Sequence, residues 1–264
     1  TVGTGNTIAG GVLTLRAGAT TTAGATESGG HVFVKTGLSE VHTGGFMSLF
    51  TGQGVATSSG SIVVKTTNAG TNGVSGHLTF SSGTTSSGSS GELKIGTGTA
   101  TKGKGGSISI TVGTGNFAAG GVVTLSSGQG AGAGGALSVT SGQGDSAAGG
   151  AISVTAGQGQ TNGGGLSVIG GKSATGDSND GGFVNIAGGL SAAGTGGHIS
   201  LTSGAGTATS TGLIKISTPN AGTNGVSGHL TFSSGTSSSG SSGELKVGTG
   251  TATKGKGGSI SITV

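Results

Sequence analysis

Two short stretches carry the residue types most suggestive of chemistry. Gly98-Thr-Ala-Thr-Lys102-Gly103-Lys104 has the G-x-x-x-x-G-K spacing of a phosphate-cradling loop, and Gly250 to Lys256 repeats it. A working loop of that kind needs Ser or Thr directly after the Lys, and a helix start that aims N–H groups at the phosphate. Gly105 and Gly257 occupy that position here, and Gly this dense disfavours a helix by about 1 kcal/mol per residue. These Lys residues therefore read as solvated charges on turns. In the second stretch, Gly176-Asp177-Ser-Asn-Asp180-Gly181-Gly182, two carboxylates lie close together, as in the Asp-bearing repeats of calcium-binding β-rolls. Asp145 is the only other Asp, so ions cannot be held along the whole chain. A polar loop is the plainer reading of this stretch and a single calcium site the sharper one.

His31, His77, His198 and His229 each directly follow a Gly of the same repeat position. His77 would lie beside Glu92, and His229 beside Glu244, as exposed pairs worth roughly a few tenths of a kcal/mol. Zinc needs three or four convergent ligands, and acid–base or nucleophilic catalysis needs a base, a group that orients it and a pocket. The sequence offers neither, so no catalytic, cofactor-binding or metal-ligating residue is expected, and the chain is read as a non-enzyme. Polysaccharide lyases and hydrolases of the right-handed β-helix type carry longer coils and clustered carboxylates, which this sequence lacks.

What must position all these residues is a repeat of about 15 residues, written G-G-x-Φ-x-Φ-x-x-G-x-x-x-x-x-x. Its second Gly recurs 17 times, from Gly11, Gly30 and Gly45 to Gly243 and Gly258. Two positions on, every unit has an apolar residue: Leu13, Val32, Met47, Ile62, and so on to Ile260. Two further on lies a second apolar column, from Leu15, Val34 and Leu49 through Phe80 and Phe232 to Ile262. Such period-two alternation predicts a strand with one buried face, and the flanking Gly residues predict tight turns with positive φ. The fold class expected is all-β: a β-solenoid (β-helix) of about 17 coils of about 15 residues. Its parallel strands would stack about 4.8 Å apart, giving a rod on the order of 80 Å long. A two-strand coil of about 30 residues per turn fits the same pattern. The small residues in the second half of each unit would form a thin opposing wall over both columns, with Phe80 and Phe232 in the core. On this expectation, Ile152→Asp unfolds the local stack by burying an unpaired charge.

Residues 68–112 and 220–264 are near-identical, differing only at Thr85/Ser237 and Ile95/Val247. Residues 1–264 thus read as one continuous array carrying a duplicated multi-coil module. Solenoids protect their open ends with polar caps. No cap is visible, so the expectation is a segment of a longer array, or rods that stack end to end.

Composition narrows the function classes. Gly accounts for 67 of 264 residues, charged residues for 7% and aromatics for 3%, which suggests either disorder or a fibrous protein. The net charge of only +4 and the frequent Val, Ile and Thr argue against a random linker. No run approaches the roughly 18 apolar residues of a membrane span. Cys is absent, so disulfides are excluded and the redox compartment is left open. Lys102/Lys104 and Lys254/Lys256 lack the neighbouring aromatics of a nucleic-acid groove, so no nucleic-acid partner is expected.

Two surfaces are candidates for interaction. Phe33, Phe46, Phe50, Phe183 and Leu213 occupy outward positions and form a candidate self-association patch, unless a loop such as Ala19–Ser28 covers it. Ser109, Thr111, Thr124, Ser126, Ser138, Thr140, Ser153 and Thr155 form a candidate ice- or surface-binding face across four successive units. The T-x-T character of that face and the coil length resemble the insect antifreeze solenoids, whose disulfides are missing here. Lys94, Lys215, Phe50 and Lys65 interrupt the rank elsewhere. The wording GTNGVSGHLTFSSGTTSSGSSGELKIGTGTATKGKGGSISITVGTGN resembles the long Gly/Ser/Thr-rich repeat proteins of algae and related protists. That resemblance spans essentially the whole chain and implies an extracellular or cell-surface setting, with no defined activity. The function expected is structural: the shaft of an extracellular fibre, filament or surface appendage, with the chain itself as partner, end to end or laterally. The hydroxyls could carry O-glycans, and glycans are a further candidate partner. Ice binding and an adhesin stalk are the alternatives.

Overall fold

The computed structural model describes residues 11–21, 28–117, 119–173 and 180–263. The chain divides into two units, Thr1–Ser126 and Ser127–Val264. Among the described residues of either unit there is no helix and no β-strand. The expected β-solenoid is therefore not seen, and its parallel stack of coils is absent among the described residues.

The 15-residue period is nevertheless visible, as linear segments alternating with closed loops. Within a segment, side chains alternate in exposure with period two: Val32 is 58% exposed, Phe33 89% and Val34 68%. Contacts between residues two apart fit the same geometry, as with Lys94 and Glu92 or Ser109 and Thr111. In nine places among the described residues, the loop that begins at the Gly after a segment closes at the second Gly of the next unit; the loops ending at Gly76, Gly91, Gly106, Gly228, Gly243 and Gly258 lack this bond. In the first unit, the Gly45 N–H donates to the Gly37 carbonyl at 3.0 Å and Gly60 to Gly52 at 3.0 Å, while Gly30 reaches back to Gly18 at 2.9 Å. The second unit repeats the clasp from Gly135 to Gly128, Gly150 to Gly142 and Gly212 to Gly204, each at 2.9 Å. Thr36 adds a side-chain bond, its hydroxyl donating to the Gly45 carbonyl at 2.9 Å.

Where it forms, this clasp works against pairing of successive segments. A return wall in a one-strand coil must run back along the whole strand, roughly 20 Å for six residues. Here the loop ends one hydrogen bond from where it began. The next segment starts at the end of the last one instead of beside its beginning. Across such a clasp no ladder joins the two segments, because strand pairing requires neighbours about 4.8 Å apart along their length.

The Gly residues do a different job from the one expected. Gly115 aside, none of the described glycines from Gly18 to Gly258 has φ in the positive, left-handed range. They serve close approach instead. A Cβ on Gly45 would lie 3.2 Å from the Thr36 Cβ, and one on Gly106 would lie 3.2 Å from the Thr97 Cβ. Thr36 and Thr97 belong to a third position of the period-two pattern, filled by small residues such as Ala17, Thr51, Ser82, Ser141 and Ser203. Inside the loops, two further devices recur. In some loops whose third residue is Gly, a downstream carbonyl occupies the Cβ position: Ser58 over Gly54, Ala133 over Gly130 and Asn162 over Gly159, whereas Gly98 and Gly250 face open space. Where it is Ser, its hydroxyl accepts an N–H three residues on: His42 to Ser39 at 3.0 Å, Gly194 to Ser191 at 2.9 Å and Gly240 to Ser237 at 3.0 Å. Both are local devices that close a loop without a core.

No described residue is buried. The columns expected to be core are exposed throughout, Phe80, Phe232 and Ile152 included, with Ile152 at 55%. The accessible surface is 26004 Å² for a chain of 24.0 kDa. A compact monomer of that mass exposes about 10,000 Å² and an unfolded chain about 35,000 Å². The loop clasps thus remain accessible to solvent, and each is worth a net 0.5–1.5 kcal/mol or so. Amide exchange at Gly45 and Gly150 is expected to be slowed on the order of tenfold relative to segment amides. Gly45→Val should abolish that protection at its own loop and leave Gly150 unchanged. Equal exchange at clasp and segment amides in the unsubstituted chain would show that the clasps do not persist.

Candidate functional site

The residues suspected of chemistry do not converge. Lys102, Lys104, Lys254 and Lys256 are exposed, with no helix after them. Among the described residues no three His, Asp or Glu side chains gather in a group that could hold a metal ion, and no pocket is found there. Asp177 lies outside the described residues, and with it the calcium reading of residues 176–182; Asp180 and Asp145 are exposed. The expected pairing of His77 with Glu92, and of His229 with Glu244, is replaced by pairs within single segments. Lys94 Nζ lies 3.0 Å from Glu92 Oε2, and Lys246 Nζ lies 2.9 Å from Glu244 Oε2. The reason is the missing ladder: with no neighbouring strand alongside, a charged side chain finds its partner two residues along its own chain. His31 likewise meets Phe33, ring centroids 5.9 Å apart and tilted by 47°.

Phe33, Phe46 and Phe50 in the first unit, and Phe183 and Leu213 in the second, are all strongly exposed. His31–Phe33 is the only aromatic pair among the described residues, so these Phe rings do not stack on one another. The loop considered as their cover includes residues 22–27, outside the described residues. Thr124, Ser126, Ser138, Thr140, Ser153 and Thr155 are exposed, and Ser109 Oγ lies 3.4 Å from Thr111 Oγ1 within one segment. Each segment therefore presents its own hydroxyl pair, and no strand ladder aligns one pair with the next among the described residues.

What the structure presents instead is surface that ordinarily lies inside a protein. Each segment carries two large apolar side chains on one side, Leu137 and Val139 or Ile152 and Val154, with no cover. The backbone–backbone hydrogen bonds among the described residues are the loop clasps and the turns at Gly70–Gly73 and Gly222–Gly225. The N–H and C=O groups of the segments thus have no backbone partner among the described residues. Unpaired extended backbone beside apolar side chains is a template for pairing with another chain, and uncovered apolar patches of more than a few hundred Å² mark interaction surfaces.

The small residues beneath each clasp were missed in the sequence reading. The signal was present: the period-two pattern continues one step past the second apolar column and ends in Ala, Ser or Thr in most units. No helix among the described residues is long and apolar enough to cross a membrane. No protein-family model matches the sequence, and no curated protein and no solved structure shows significant similarity to it.

Proposed function

We propose that this chain is a structural protein that associates with itself to form the shaft of an extracellular fibre or surface appendage. The observation that carries this reading is the uncovered pair of apolar columns along segments whose backbone is unpaired. A protein with 26004 Å² of accessible surface has well over half of what a compact fold would bury still available for contact with other copies. The weak net charge of +4 opposes such contacts little. The extracellular setting rests on composition and on the resemblance to secreted Gly/Ser/Thr-rich repeat proteins.

The test is light scattering and electron microscopy across a concentration series. Growth into elongated particles above a threshold concentration is the expected result. A chain that stays monomeric to millimolar concentration would overturn the reading and turn attention to the exposed Ser/Thr pairs as a surface for ice or glycans.

A further inference from the structure

The duplicated block places the sequence Glu-Leu-Lys in the chain twice. Glu92-Leu93-Lys94 and Glu244-Leu245-Lys246 each present an acid and a base on one side of a segment, held 3.0 and 2.9 Å apart, with Leu93 or Leu245 on the other side. The side chains of both pairs are largely exposed. These are special positions. Of the seven acidic residues in the chain, only Glu92 and Glu244 fall within the x-Φ-x-Φ-x stretches of the repeat. The remaining charged segments carry only Lys, Arg or His, as at His31/Lys35, Lys65 and Lys215.

Two copies of the sequence Glu-Leu-Lys can meet in two ways. Side by side and parallel in register, Glu92 faces Glu92 and Lys94 faces Lys94, and like charges opposite each other are destabilising. Antiparallel about Leu93, Glu92 of each copy faces Lys94 of the other, Leu93 faces Leu93, and the free N–H and C=O groups of both segments become a ladder. We infer that these two segments are docking sites for a second copy of this chain, pairing antiparallel about Leu93 and Leu245. Such a contact is two-fold symmetric and closes on itself, so one site per chain would give only dimers. Two sites per chain give a linear polymer. The near-identity of residues 68–112 and 220–264 then has a physical use: both ends of each link are the same connector.

This inference rests on the self-association proposed above, and the test separates the two. Scattering is compared for the unsubstituted chain, Glu244→Lys, the double variant Glu92→Lys/Glu244→Lys, and the fully swapped Glu92→Lys/Lys94→Glu/Glu244→Lys/Lys246→Glu. All substituted side chains are exposed, so none should disturb the chain itself. Long polymers, dimers, a threshold raised about tenfold or more, and restored polymers are expected in that order. If the double variant polymerises like the unsubstituted chain, the docking sites are wrong while self-association stands. If the unsubstituted chain never associates, both fall. Orientation is read separately by disulfide formation in a chain that has no Cys of its own. Ser90→Cys mixed with Gly96→Cys should cross-link, because these positions face each other about Leu93, and a Cβ at Gly96 meets nothing within 4 Å. Efficient cross-linking of Ser90→Cys with itself would show parallel pairing and overturn the inference.

Discussion

Heated below its association threshold, the chain should show no cooperative endotherm. A compact two-state protein of 264 residues absorbs roughly 180 kcal/mol at its midpoint. That heat comes from disrupting a packed interior and exposing it to water, and no described residue here is buried. The bonds that do exist are local. Each clasp, such as Gly45 to Gly37 or Gly150 to Gly142, closes its own loop. Opening one clasp therefore does not weaken the next, and loops should open independently over a broad temperature range. The same measurement above the threshold should recover a transition, now dependent on concentration, because association adds the buried surface that a single copy lacks. A sharp endotherm near the compact-protein value at high dilution would mean that the columns are covered within one chain.

The sequence specified the period and the sidedness of each segment. It misled on what the period builds. The pattern Gly-x-Leu-x-Val at residues 135–139 states that Leu137 and Val139 share a side. It does not state what lies against that side. A strand and an unpaired linear segment have the same alternation, and only the path of the chain between segments distinguishes them. That path is set by the loop, and the loop is set by close approach: Gly45 must fit against Thr36, and Gly54 must leave room for the Ser58 carbonyl. Composition alone suggested positive φ for these glycines, because a missing Cβ serves both purposes equally well. The charged pairs were misassigned for the same reason. Pairing His77 with Glu92 presumed neighbouring strands, whereas Lys94 lay two residues away all along.

Ile152 is where the two pictures differ most in consequence. In a solenoid, Ile152→Asp would place an unpaired carboxylate in the core and unfold the local stack. In this structure Ile152 is 55% exposed and Val154 also faces solvent, so an ionised Asp at either position stays hydrated. The double variant Ile152→Asp/Val154→Asp should leave the circular dichroism of the dilute chain, and the Gly150 clasp, unchanged. Its effect should appear only on association. Covering a Val or Ile side chain contributes about 1.5–3 kcal/mol, and two new carboxylates would resist the desolvation that contact requires. The assembly threshold should therefore rise on the order of 100-fold or more, since the two side chains together contribute about 3–6 kcal/mol and each 1.4 kcal/mol or so is a factor of ten. A change in the dilute spectrum would return Ile152 to an internal core. An unchanged threshold would remove Ile152 and Val154 from the interface and leave the Glu-Leu-Lys segments, with Leu93 and Leu245, as the contacts that drive assembly.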